Sequence, residues 1–141
     1  MHDLFDAQSR QSILDRLTRL EPSAQRQWGK MDPAQMCAHC ARALETATGD
    51  APLPRMFIGR LLGWMARGHM LVDKPFARDA PTHPAFVHAG ARDFAVERAR
   101  LQAVIARFAE RGPERAAEAP HAFLGQLSGA EWGRLMGKHL D

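Results

Sequence analysis

Apolar residues along this chain recur at offsets of three and four, the repeat of a helix with one buried face. Residues 5–20 place Ile13, Leu14, Leu17 and Leu20 on one side and Arg10, Asp15, Arg16 and Arg19 on the other. This predicts a first helix, stopped by Glu21-Pro22-Ser23. A second is predicted over residues 32–49. Asp32 can cap it, Pro33 suits its first turn, Gln35 completes a capping box, and Gly49 suits its end. Residues 56–70 form an apolar block interrupted by glycine, a weaker helix. Residues 93–111 carry Phe94, Leu101, Val104, Ile105 and Phe108 on one side, and Gly112-Pro113 is expected to end that helix. Ser128 and Glu131 form a capping box that opens a last helix, with Trp132, Leu135, Met136 and His139 on one face.

The segments between these blocks read as connections. Residues 49–54 contain Pro52 and Pro54 and form a linker. Residues 73–91 hold Pro75, Pro81, Pro84 and Gly90 with almost no periodicity, a long loop crossing an end or side of the domain. Loops of this length are uncommon and often functional. No segment alternates with period two, so no sheet is expected. The expected architecture is all-α: one domain over residues 1–141, with four main helices packed as a bundle. An additional short helix and the long loop fall between the second and third main helices.

Composition narrows the partners. The chain is 45% hydrophobic and 25% charged over 141 residues, ordinary for a soluble globular protein. Its formal net charge is +3, and its arginines are scattered among acids instead of forming a basic face, so no nucleic-acid partner is expected. Residues 56–70 are too short to span a bilayer, which takes ~20 apolar residues. Trp64 and Arg67 would suit a membrane-surface helix, but a packed helix or a partner-facing surface, such as a homodimer contact, is the preferred reading, with no membrane partner. No signal peptide is read at the start, and a cytoplasmic location is expected. Two cysteines in one helix do not make a disulfide framework.

The candidate chemistry lies on the second and last helices. Met36, His39, Cys40, Ala43 and Ala47 share a face, with Arg42, Glu45 and Thr46 mostly on the other side. His39 and His139 therefore point into the core, where an imidazole needs a partner. Facing helices of a bundle can hold a metal between them, and neutral imidazole suits Zn, Ni, Cu and Fe. From spacing alone, two core imidazoles bonded to backbone or to each other remain the simpler reading. Met36, Cys40, Trp132 and Met136 share the faces of the two histidines and are the expected pocket lining. Cys37 and Cys40 flank His39, but without a second cysteine pair or a preceding strand they read as small buried hydrophobes. His2, His69, His83, His88 and His121 fall in loops or at element ends and are expected to be solvated, with His83 and His121 able to reach over a pocket mouth.

Three segments also carry a likeness. They are Trp28-Gly29-Lys30-Met31 leading into Gln35-Met36-Cys37-Ala38-His39, then His121-Ala122-Phe123-Leu124-Gly125-Gln126-Leu127, and Glu131-Trp132-Gly133 running through Lys138-His139-Leu140-Asp141. In this order they resemble an uncharacterised bacterial family of the DinB/YfiT-like metalloenzyme superfamily. The middle segment departs from that family's pattern at Ala122, where proline is usual, and at Leu124, where phenylalanine is usual. The resemblance implies a four-helix bundle with a three-histidine site: one on the second helix, matched by His39, and a His-x-x-x-His pair on the last. His139 matches the first of that pair, and the other would lie four residues on, past Asp141. With the resemblance included, a divalent metal at His39 and His139, Zn or Ni, becomes the expectation. The function it implies is a metal-dependent thiol transferase or hydrolase acting on a small molecule such as a low-molecular-weight thiol. The alternatives are a non-catalytic stress or binding protein with core histidines, and an interaction module that dimerises through residues 56–70.

Overall fold

The protein is described from a computed structural model, which covers residues 2–141 apart from Asp79 and Pro81. Pro81, one of the prolines that mark the long loop, thus lies outside the described residues. The described residues are all helical apart from their connections and one isolated bridge between His121 and Gly125. The order is α1 (Ala7–Arg19), α2 (Pro33–Ala47), α3 (Phe57–Met70), a short 3-10 turn (Pro84–Phe86), α4 (Phe94–Ala116) and α5 (Gly129–Leu140).

Side chains that satisfy free backbone N–H groups set the helix starts. Asp6, Asp93 and Ser128 accept from the backbone of Ser9, Val96 and Glu131, and the capping boxes predicted at Asp32–Gln35 and Ser128–Glu131 are both formed. Gly112 and Pro113 do not end α4 as expected. Gly112 takes a positive φ of 74°, which breaks the helical path, and Pro113 then begins a further turn to Ala116. Glycine reaches that conformation without a Cβ clash, and proline suits the first position of the new turn. The element is a kinked helix.

The core is built on α2. Cys37, Ala38, Ala41 and Leu44 are buried as well as His39, Cys40, Ala43 and Ala47 of the predicted face, with Met36 half-buried, so α2 is enclosed on most sides. It packs most extensively on α4, where Leu101, Val104, Ile105 and Phe108 are buried. Thr46, expected outside, is buried, because the 50–54 linker folds back over it. Arg42 donates to the Ala51 carbonyl (2.7 Å) and to Thr46 Oγ1 (3.2 Å). Along the rim of the same seam Arg100 forms a two-point pair with Glu45 (2.7 Å each), and Arg107 and Arg111 reach Asp50. Glu97 is buried between Arg92 and Arg100, both at 3.1 Å, which compensates its loss of solvent.

Helix α5 closes the core through a stripe of glycines. Gly129 meets Pro113, Gly133 meets Asp3 and Phe5, and Gly137 meets the backbone of His2. Leu4 is fully buried, and its N–H bonds the Gly133 carbonyl at 3.1 Å. A methyl group on Gly133 would lie 2.6 Å from the Phe5 ring, so something must move. Gly133→Ala is expected to destabilise the fold by about 1–3 kcal/mol. Gly68→Ala, whose Cβ would enter open space, is expected to be neutral or stabilising by about 0.5–1 kcal/mol. Urea unfolding of the two variants checks the contrast.

Candidate functional site

His39 sits in the middle of α2 and His139 in the last turn of α5, and packing brings the two together. Their ring centroids lie 5.0 Å apart with the planes inclined by 22°. Nδ1 of His39 faces the carbonyl of Phe86 at 3.0 Å. A carbonyl only accepts, so this bond fixes the proton on Nδ1 and leaves the Nε2 lone pair of a neutral His39 free. Nε2 of His139 is buried and has no hydrogen-bond partner. Phe86 approaches His39 edge-on at 6.0 Å, and Phe76 approaches His139 in the same way at 6.2 Å.

Phe76 and Phe86 come from the 73–91 segment. The long loop, read from the sequence only as a crossing of the domain, therefore covers the histidine pair. His83 caps the 3-10 turn: its Nδ1 accepts from the Ala85 N–H (3.1 Å) and so positions Phe86 one residue later. His88 was expected to be solvated; instead its Nε2 is buried without a partner, and its Nδ1 lies 3.0 Å from Arg92. Periodicity has no hold on these loop residues, and loop length was the one signal pointing to them.

The other expected site residues divide. Met36 and Cys40 line an apolar cavity of about 150 Å³ bounded by Ile13, Leu17, Leu101 and Ile105, with Arg16 at its edge. Trp132 and Met136 are instead packed in the core, and the Trp132 indole donates to the Ala119 carbonyl at 3.0 Å. Cys40 Sγ lies 3.8 Å from Met36 Sδ. Burial pushes the Cys37 thiol up to about 11 and the Cys40 thiol to about 12, so both stay protonated at neutral pH. Neither is a ready thiolate.

His121 belongs to a tight turn. Its Nδ1 accepts from the N–H groups of Phe123 (3.1 Å) and Leu124 (3.0 Å), so the proton of its neutral ring sits on Nε2. That tautomer suits a structural role. Among the described residues, no group of three or more His, Cys, Asp or Glu side chains is arranged to hold an ion. The histidine pair is thus a two-donor arrangement.

Residues 3–141 match the family model described as "Protein of unknown function (DUF1569)". The chain belongs to this family. No curated protein and no solved structure matches it.

In this DUF1569 protein the imidazoles of His39, His121 and His139 are pushed toward their neutral form. Burial lowers the pKa of His139 to about 4, with the charges of His39 and His121 adding to the effect. Burial and Arg55 lower His121 to about 4, and burial lowers His39 against the opposing pull of the Phe86 carbonyl. A histidine whose folded pKa is depressed takes up its proton more readily when unfolded. Stability is therefore complete above the unfolded value near 6.5 and falls as pH drops toward 4. In chelator-treated protein, urea midpoints should decline between pH 6.5 and 4, and His139→Phe should flatten part of that decline. A midpoint independent of pH over this window would contradict the assigned neutral state.

Proposed function

We propose that this DUF1569 chain is a divalent-metal-binding protein whose ion is held by His39 and His139. The observation that carries the reading is the pairing of a carbonyl-oriented imidazole with a buried, partnerless one. Metal-binding histidines characteristically donate their second ring N–H to a carbonyl or carboxylate, as His39 does to Phe86. The buried, unpartnered Nε2 of His139 is a group that burial leaves costly until something coordinates it. The two rings stack with centroids 5.0 Å apart, near enough for nitrogens that bond one ion at ~2.1 Å each once the rings turn toward it.

Neutral imidazole is the protonation state a metal requires, and desolvation supplies it here without competition from protons at pH 7. Zn or Ni suits such nitrogen donors. Phe76 and Phe86 shield the pair from water, and the Phe86 carbonyl holds the His39 ring in register. An ion bound with an open position would lower the pKa of a water or thiol, the chemistry of a metal-dependent hydrolase or thiol transferase. The likeness to the DinB/YfiT-like superfamily supports the same reading. Small-molecule thiols are the proposed substrate class.

The test is metal titration of chelator-stripped protein by calorimetry. About one Zn or Ni per chain is expected, with affinity falling at least tenfold in His39→Ala and in His139→Ala while far-UV helicity is unchanged. If neither ion binds, or if binding ignores both substitutions, the histidines are core residues and the protein is a non-catalytic helical domain.

A further inference from the structure

Helix α3 presents its small residues to its own chain and its large ones to solvent. Gly59 and Gly63 are buried against the backbone of Phe123, where a Cβ on Gly59 would lie 2.8 Å from the Phe123 Cα. There is no room for side chains on that side. Phe57, Ile58, Leu61, Leu62, Trp64 and Met65 are all exposed, Phe57 and Trp64 to 75% each. Phe57, Leu61 and Trp64 follow one another at offsets of four and three and form the middle of the outward face. At about 150–250 Å² per aromatic side chain, two such rings alone leave a few hundred Å² of apolar surface open. That is already the size of the largest patch on a typical monomer, and it marks an interaction surface.

The helix is nevertheless firmly fixed. Arg67 binds both carboxylate oxygens of Glu131 at 2.6 Å, and Lys138 donates to the Met70 and Val72 carbonyls at the helix end. The Met56 N–H bonds the Ala122 carbonyl at 2.9 Å. The outward face is thus held in place and is not a fraying end.

Charge decides what covers it. Between Ala51 and Val72 the chain has no Asp or Glu, while Arg55, Arg60, Arg67 and His69 are all basic-type residues. Arg60 is exposed on one border of the apolar face and His69 beside Ile58 and Leu62, while just beyond the helix an exposed Lys74 neighbours an exposed Asp73. A second copy would bring this acid-free segment against itself, with like charges meeting at the rim. An anionic lipid surface offers apolar depth for Phe57, Leu61 and Trp64 and negative headgroups for the bordering cations, which can extend upward from a submerged helix. We propose that α3 lies in the plane of an anionic lipid surface, with its outward face submerged and Arg60 among the headgroups. Among the described residues no helix is long and apolar enough to cross a membrane, so the attachment is to one face only.

The experiment is co-sedimentation of the full chain with vesicles of phosphatidylcholine alone or of phosphatidylcholine with phosphatidylglycerol, at low and high salt. Strong binding to the phosphatidylglycerol vesicles is expected, declining with salt, with Arg60→Ser binding about fivefold more weakly. Leu61→Glu is expected to abolish binding while far-UV helicity stays unchanged, and Trp64→Ser serves as a second outward substitution if Leu61→Glu does not fold. Absence of binding, or equal binding to both vesicle types, overturns the proposal. So does a dimer in dilute solution that Leu61→Glu converts to monomer, which would assign the face to a second copy.

Discussion

Everything in this fold leans on the desolvation of α2. A helix can be enclosed on most of its sides only if its side chains are small, and Cys37, Ala38, Ala41, Ala43 and Ala47 meet that condition. Their size lets α4 approach closely, so that Leu101, Val104, Ile105 and Phe108 fill the space that larger α2 residues would otherwise take. An imidazole at the centre of such a helix is largely cut off from water. The chain must therefore supply a partner, and the 3-10 turn supplies the Phe86 carbonyl. In this way a packing constraint on α2 accounts for why an otherwise irregular loop is drawn over the histidine.

The buried histidines and the buried carboxylate are treated in opposite ways. Glu97 is paired on both sides, by Arg92 and by Arg100. His39, His121 and His139 are instead pushed toward the neutral form, chiefly by burial, with Arg55 adding to the effect at His121. The thiols of Cys37 and Cys40 lie in the same core and are held protonated by burial.

Helix positions were legible because their signals are local. A capping box is written in four consecutive residues, and Asp32–Gln35 and Ser128–Glu131 start their helices as the sequence indicates. The inward direction of His39 and His139 followed from offsets of three and four, and the two rings do meet. What stayed hidden depends on contacts far along the chain. Thr46 is buried by a linker that folds back, Phe76, Phe86 and His88 are placed by a loop with no repeat, and Trp132 turns to a carbonyl thirteen residues away. The Gly112-Pro113 pair was read as a stop because both residues oppose a helix interior. In the fold the same two properties bend α4 and restart it.

The glycine stripe on α5 has a mechanical meaning. Gly129 and Gly137 put helix backbone directly against Pro113 and the backbone of His2, and Gly133 rests on the side chains of Asp3 and Phe5. Such a contact behaves as a hard stop: displacing the surface on which α5 rests carries the whole helix with it as a rigid rod. His139 rides on the end of that rod, so its distance from His39 is gauged by residues of the chain's first turn and by the bend in α4. The spacing of the two imidazoles can therefore be detuned from remote positions without altering either histidine.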